Sequence, residues 1–263
     1  MGLFAGPAFA FPCGMTLDSI DDVLRELDAI VALSRQRGSA DGYFAALYRR
    51  TTAEVKARID RGEFADGPRM TRLDIGFARR YLDAWHACER GEPTSAVWSV
   101  AFGCSRDFWP LVLQHLLLGM NAHINLDLGV AAAEVAPGDA IDGLEGDFAA
   151  INGVLADMVD EVQTRLARIW PAMRWLDVAG SDVDEAVVNF SIRRARQHAW
   201  LTASTLARLP EVARAVHIRN VDATMAALGR RVLNPGASLA VKLAAVRLSE
   251  RGSVAAKIDA LFL

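Results

Sequence analysis

The stretch 113–134, LQHLLLGMNAHINLDLGVAAAE, limits what this chain can fold into more than any other part of it. It is apolar nearly all round, a pattern that is typical of a helix buried in the protein interior. It nevertheless carries five polar side chains within roughly four helical turns: His115, Asn121, His123, Asn125 and Asp127. Because buried polar groups need hydrogen-bond partners, we expect this helix to lie at the centre of the fold and to hold a polar site.

The rest of the chain also has the apolar periodicity of helices, and no alternating run is long enough to indicate a strand. We predict the other helices at about 16–33, 43–61, 71–90, around Trp98, and at about 148–169, 186–209, 212–233 and 238–248, with a short tail helix after Gly252. The segment 136–147 is predicted to be a loop. The pattern therefore indicates an all-α protein of about eight or nine helices around the central helix 113–134. We expect one domain, 16–263, after an irregular N-terminal segment, 1–15.

The composition indicates a soluble globular protein, with 52% hydrophobic and 23% charged residues. A net charge of -3 gives no reason to expect nucleic-acid binding. The three cysteines, Cys13, Cys88 and Cys104, do not have the spacing of a disulfide framework or a thiolate metal site, which favours a cytoplasmic protein. The apolar N-terminus lacks the basic start of a signal peptide, and the other apolar runs are too short or interrupted to predict a membrane span. The oligomeric state is left open.

His123 and Asp127 are four residues apart and therefore lie one above the other on the same side of the central helix, with Glu134 also on that side. Such a pair is half of a metal site: imidazole and carboxylate suit one zinc, iron or manganese ion, with Asp74 the first candidate for a third ligand. The other interpretation is a buried His–Asp hydrogen bond that fixes helix packing. The spacing alone favours this structural interpretation.

Asn121 and Asn125 lie on a different side of the central helix, where they would either orient a substrate or bridge neighbouring helices. The segment SIRRARQHAW carries several arginines, of which Arg194 is expected to point inward. An inward guanidinium would pair with Asp127 or Asp74, or hold an anionic substrate. The chain has no GxSxG, P-loop, HExxH or strand-following GxGxxG motif, which argues against the common serine hydrolases, P-loop enzymes and Rossmann dehydrogenases.

Five segments together resemble an uncharacterised, mainly actinobacterial family that is classed as a domain of unknown function: DGYFAALYRRTTAEV, LDIGFARRYLDAW, LQHLLLGMNAHINLDLGVA, DFAAINGVLADMVDEV and SIRRARQHAW. The resemblance covers roughly 18–206, and its specific part is the core MNAHINLDL. It implies no activity, but it implies that the following are motif positions: Asp74, Arg80, Tyr81, Asn121, His123, Asn125, Asp127, Asn152, Arg194 and Trp200. His115 and His198 depart from the family pattern.

Three hypotheses for function follow from these residues. The first is an enzyme for hydrolytic or acid–base chemistry on a small or lipid-like molecule, with His123, Asp127, Asp74 and Arg194 as catalytic residues. Its substrate would contact Asn121, Asn125, Tyr81 and Trp200, and a divalent metal would be bound by His123, Asp127 and Asp74 if one is used. The second is a non-catalytic protein that encloses an apolar ligand. The third is a structural domain whose polar network only fixes helix packing.

Overall fold

In the computed structural model, the described residues, 17–151, 153 and 192–262, form ten α-helices and no strand. The helices are α1 (Ile20–Arg37), α2 (Asp41–Asp60), α3 (Gly67–Glu89), α4 (Ala96–Gly103), α5 (Val112–Ala122), α6 (Gly129–Val135), α7 (Ile192–Arg208), α8 (Glu211–Leu233), α9 (Ala237–Ser249) and α10 (Val254–Phe262). The all-α prediction is confirmed. The number exceeds the predicted eight or nine partly because a π-helical segment, His123–Leu128, divides the central helix into α5 and α6.

Two predicted boundaries at the start of the chain differ from the structure because capping side chains set them. α1 begins at Ile20, after an N-cap at Ser19 whose hydroxyl accepts a hydrogen bond from the Asp22 amide at 3.2 Å. The Asp22 carboxylate accepts in return from the Ser19 amide at 2.8 Å, which completes a capping box. α3 begins at Gly67, four residues before the predicted start, with Asp66 as its N-cap.

The segment that follows the central helix differs from the prediction. Its middle is a 3₁₀-helix, Gly138–Leu144, where a loop was predicted, and residues 145–151 are helical. Asp147 suits the N-cap of a helix by sequence, yet its buried carboxylate accepts hydrogen bonds from the amides of Ala65 (2.7 Å) and Asp66 (3.0 Å). Asp147 therefore positions the start of α3, and the rest of the helix predicted at 148–169 lies outside the described residues.

The central helix runs from Val112 to Val135 and is surrounded by the other helices. Its length and composition would allow it to cross a membrane, but 94% of its most apolar window is buried within the protein, as in the core helix of a soluble protein. Its glycines allow close contact with neighbours. A Cβ at Gly129 would come within 2.9 Å of Thr202 on α7, and one at Gly119 would overlap the Phe44 ring on α2.

The last two helices fix the start of the central helix. The buried Glu250 carboxylate, between α9 and α10, accepts hydrogen bonds from the Val112 amide at 3.0 Å and from the Lys257 ammonium group at 2.7 Å. Ile258 and Leu261 of α10 are buried in the same core as α1 and α2. These contacts hold the central helix in a fixed position, which places its polar side chains among α2, α3 and α4.

Candidate functional site

The Asp127 carboxylate is the centre of the polar site. Its Oδ2 accepts hydrogen bonds from the Trp98 indole N–H at 2.9 Å and from His123 Nδ1 at 3.2 Å. Its Oδ1 accepts from Arg80 Nε at 3.3 Å, and the same guanidinium lies 3.7 Å from the carboxylate of Glu134. Asp127, His123 and Trp98 are each 2% exposed. The predicted i, i+4 contact is therefore present, and α3 and α4 add two further donors to it.

This contact decides which nitrogen of His123 carries the proton. A carboxylate only accepts hydrogen bonds, so Nδ1 is the protonated nitrogen, and Nε2 of the neutral ring has a free lone pair. Burial lowers the pKa of His123, and this effect is larger than the opposing effect of Asp127, while Arg80 lowers the pKa further. The imidazole is therefore neutral at pH 7, with Nε2 as a potential proton acceptor.

Aromatic side chains surround the imidazole. Phe77 of α3 stacks on it with a centroid distance of 3.6 Å and an interplanar angle of 10°, and Tyr48 of α2 contacts it edge-on at 4.3 Å. Phe44, Tyr81 and Trp98 complete the surroundings at centroid distances of 5.7, 6.0 and 6.2 Å. Such an apolar environment strengthens each electrostatic interaction in it, because little water is present to screen charge.

Five buried polar atoms on helices around His123 have no hydrogen-bond partner among the described residues. They are Tyr48 Oη, Thr52 Oγ1, Asp74 Oδ2, Tyr81 Oη and His123 Nε2. The Thr52 hydroxyl lies close enough to Tyr48 to favour its ionised form slightly, yet no hydrogen bond of normal geometry joins the two. Because nearly all buried polar groups in proteins are paired, these five atoms together mark a place for a polar partner other than the described residues.

Asp74 is the second titratable group of this interior. Burial raises the pKa of its carboxyl group to about 7, so that both the acid and the carboxylate are populated at neutral pH. Among the nearby charges that raise the pKa of Tyr48, Asp74 has the largest effect, and the Tyr48 ring contacts His123. Asp74 and His123 therefore both lie close to Tyr48. Burial raises the pKa of Tyr48 and of Tyr81 well above the usual value, so both phenols keep their protons.

The two asparagines join helices to each other. Asn121 donates to the backbone carbonyl of Met225 on α8 at 2.8 Å, and Asn125 donates to the Asn121 side-chain oxygen at 3.0 Å. The Asn125 backbone forms a hydrogen bond with His198 of α7. Asn121 and Asn125 therefore bridge neighbouring helices, which is one of the two roles predicted for them. A substrate role for either asparagine stays a prediction.

The prediction that Arg194 points inward is wrong, because Arg194 is exposed and Arg196 is the buried arginine of α7. Arg196 donates to the Phe148 carbonyl and lies over the Phe148 ring, and Trp200 packs on that ring at 5.0 Å. Arg196 and Trp200 thus share Phe148 as a neighbour. The arginine that reaches Asp127 is Arg80 of α3.

The structure does not favour a metal at this site. Among the described residues, no three or more His, Cys, Asp or Glu side chains come together in a way that could hold an ion. The predicted set of His123, Asp127 and Asp74 therefore does not form such a group. The nitrogen of His123 that faces Asp127 is also engaged in a hydrogen bond with it. We therefore derive no chemistry through a metal.

Sequence reasoning missed two contacts of Asp127. Trp98 was noted only as part of a short helix, although a buried indole N–H requires an acceptor and therefore signals a nearby polar group. Arg80 was only a position implied by the family resemblance, yet it lies seven residues after Leu73 and three residues after Phe77. That spacing puts it beside the buried face of α3.

The fold and the site define an all-helical protein with a buried His–Asp pair and an arginine that connects the pair to the surface. The chain belongs to a family of unknown function, DUF5995, whose profile matches residues 20–235. Comparisons with curated proteins and with solved structures find no match. The matched region contains every member of the site described above, whereas the whole of α9 and of α10 lies beyond it.

Proposed function

We propose that the protein is an acid–base enzyme in which Nε2 of His123, oriented by Asp127, takes a proton from a small molecule bound in the interior. The observation that carries this proposal is the unpartnered Nε2 of a histidine whose other nitrogen is held by a buried carboxylate. In general acid–base catalysis, a carboxylate in this position fixes the tautomer and stabilises the imidazolium that forms.

Contacts on the far side of Asp127 support this role. Trp98 and Arg80 hold the carboxylate from two directions, so that it cannot turn away from the imidazole. A carboxylate that is fixed before the reaction needs no rearrangement when positive charge develops on His123, which is the basis of electrostatic preorganisation. The π-helical segment that carries both residues is also of a kind often found at functional sites.

The neighbouring groups indicate what the substrate offers. Protonated Asp74 and the phenols of Tyr48 and Tyr81 are hydrogen-bond donors, which suit a carbonyl or hydroxyl oxygen. The surrounding rings suit an apolar body. A carbonyl compound with an acidic C–H bond fits both: His123 takes the proton from carbon, the donors stabilise the oxygen of the enolate, and the imidazolium returns the proton.

This reaction can be tested without knowledge of the natural substrate. A panel of small ketones, aldehydes and oxo acids is incubated with the full chain in D₂O, and deuterium uptake at carbon is followed by mass spectrometry. We expect uptake by at least one compound, and we expect His123→Gln to lose at least about a hundredfold in rate, the low end of what a positioned base contributes.

His115→Gln is the matched control, because His115 is also buried and lies on the same helix, eight residues earlier. It should exchange deuterium at the wild-type rate. Equal loss in both variants would show that any buried histidine supports the fold and would overturn the proposal. A well-folded wild-type chain that exchanges no compound of the panel faster than buffer would also contradict it.

One observation favours a structural role instead. Phe77 stacks on the imidazole at 3.6 Å, so the ring is packed as closely as a core side chain. If the pair served only to fix helix packing, replacement of His123 by Phe, a larger ring without a hydrogen-bond donor, would lower the free energy of unfolding, because the buried Asp127 would lose one of its donors. The acid–base proposal places no stability requirement on His123, so only the exchange assay decides between the two.

A further inference from the structure

A cleft of about 510 Å³ lies along the outer face of α3. Six of its lining residues belong to that helix: Arg72, Ile75, Gly76, Arg79, Arg80 and Asp83. Leu17, Asp18 and Glu134 form the opposite side. The cleft and the interior site share Arg80, whose side chain is 29% exposed while its Nε bonds to the buried Asp127.

Gly76, which has no side chain, is surrounded by three arginines on the surface of α3. On a helix surface, the neighbours of a residue lie three and four positions away, and for Gly76 these include Arg72, Arg79 and Arg80. A Cβ built at Gly76 meets no atom within 4 Å, so the space above its backbone is open. Three guanidinium groups around a position without a side chain form a binding place for a compact anion.

The acidic residues of the cleft leave these three arginines available. Asp83 lies seven residues beyond Gly76, about 10 Å along the helix. Glu134 is 56% exposed and only 3.7 Å from Arg80, a surface ion pair that an anion can displace at small cost. Arg79 donates a hydrogen bond to the Leu17 carbonyl at 3.3 Å, and no ion pair joins it to Asp18 among the described residues. Arg72 has no ion-pair partner among the described residues and is exposed.

We propose that Gly76, Arg72, Arg79 and Arg80 bind the carboxylate or phosphate group of the molecule on which the His123–Asp127 site acts. This inference rests on the proposed function and adds the substrate class: an acid with an apolar body. Arg80 would then contact the ligand's anionic group on one side and Asp127 on the other. Ligand binding at the surface would thus alter the surroundings of the buried His123–Asp127 pair through the Arg80 side chain.

The test uses inorganic phosphate and acetate as probes, with chloride at equal ionic strength as the reference. Proton–nitrogen NMR spectra of the full chain report on the Gly76 amide and on the Trp98 indole N–H, which donates to Asp127 at 2.9 Å. The Trp98 signal is assigned with Trp98→Phe. We expect both signals to shift saturably, with a dissociation constant on the order of 1 mM for so small a ligand.

Two variants remove the site in different ways. Arg72→Gln combined with Arg79→Gln should weaken phosphate binding at least about tenfold, the effect of losing two charge-assisted contacts. Gly76→Phe should block it by filling the open space. Gly76→Ala places one methyl group in that space and should still bind, and Arg231→Gln, an exposed arginine on α8, should bind as the wild type does.

Linear shifts without saturation, or equal binding in the double arginine variant, would overturn the inference. Binding that moves the Gly76 signal but leaves Trp98 unchanged would overturn the connection through Arg80. His123→Gln should bind phosphate normally, because the anion contacts no imidazole. Saturable binding in that variant supports the anion site even if the deuterium assay is negative, so the two proposals can fail separately.

Discussion

The central helix carries two buried histidines, and the comparison between them shows what makes one of them a candidate for chemistry. His115 contacts the Cys104 thiol, with Nδ1 and Sγ 3.7 Å apart, and packs against Tyr43. Burial, with smaller contributions from Arg247 and Lys257, lowers the pKa of His115 to about 4. His123 is also buried but has the Asp127 carboxylate four residues later, which opposes the decrease that burial causes in the pKa of His123. The Asp127 carboxylate is therefore what distinguishes His123 from His115: it fixes the tautomer of the ring and opposes the effect of burial on its pKa.

The largest expected effect in this comparison is that of removing the carboxylate. Asp127→Ala leaves the Trp98 N–H, the Arg80 guanidinium and His123 Nδ1 without their shared acceptor. We expect a loss of about 3–5 kcal/mol in the free energy of unfolding, the usual result of breaking a buried ion pair from one side. Urea denaturation measures it. Glu134→Ala is the control, because it removes the exposed partner of the same arginine, and it should change the free energy of unfolding by less than about 1 kcal/mol. Similar losses of stability in both variants would contradict the central position of Asp127.

Asp74 gives the His123 region a characteristic pH dependence. Its pKa is about 7 in the folded protein and 3.8 in the unfolded chain, so the folded state binds the proton more tightly. The contribution of Asp74 to the free energy of unfolding is therefore fully present below pH 3.8 and is lost as pH rises through 7. The loss is at most about 4 kcal/mol. Asp74→Asn should accordingly become more stable relative to the wild type between pH 4 and pH 8. A constant difference across this range would show that Asp74 titrates normally.

His115 should give the opposite slope. Its folded pKa of about 4 lies below the unfolded value of 6.5, so its contribution is present above pH 6.5 and is lost as pH falls through 4. The wild type should lose up to roughly 3 kcal/mol relative to His115→Gln over that interval. Unfolding experiments at pH 4, 5, 6 and 7 measure the difference. Parallel stability curves for the two proteins would disprove the burial of a neutral His115.

Gly119 lies one turn from each histidine and tests how tightly the helix is packed between them. A Cβ there would overlap Phe44, which itself lies against His123, so Gly119→Ala should lower stability by about 1–3 kcal/mol. Gly76→Ala is the matched control in an open part of a helix and should raise stability by about 0.5–1 kcal/mol. Thermal unfolding compares the two. A stabilising effect of Gly119→Ala would mean that α2 is further from the central helix.

The helices and the His123–Asp127 contact could be predicted because both depend on local spacing. The apolar period specifies the buried face, and four residues are one turn whatever surrounds them. The contacts of Trp98 and Arg80 with Asp127 depend on how α3 and α4 pack, which one sequence does not specify. The error at Arg194 was one of helix phase: α7 turns Arg196 inward, and a shift of two residues reverses the direction of a side chain on a helix.

The predicted metal site shows a different limit. The spacing of His123 and Asp127 is equally suitable for a metal and for a hydrogen bond, because both need two side chains on one face. Only the presence of a third ligand distinguishes a metal site from a hydrogen-bonded pair, and that ligand must come from another helix. In the structure the neighbours of Asp127 are the donors Trp98 and Arg80, which favour a carboxylate that accepts hydrogen bonds.

Nitrogen NMR of the histidine side chains tests the central claim most directly. Protein labelled with ¹⁵N in its imidazole rings, with His123 assigned by comparison with His123→Gln, distinguishes protonated from unprotonated ring nitrogens at pH 7. The account predicts a neutral His123 with the proton on Nδ1 and a free lone pair on Nε2. A proton on Nε2, whether in the other tautomer or in the imidazolium form, would contradict it, because the site would then have no base.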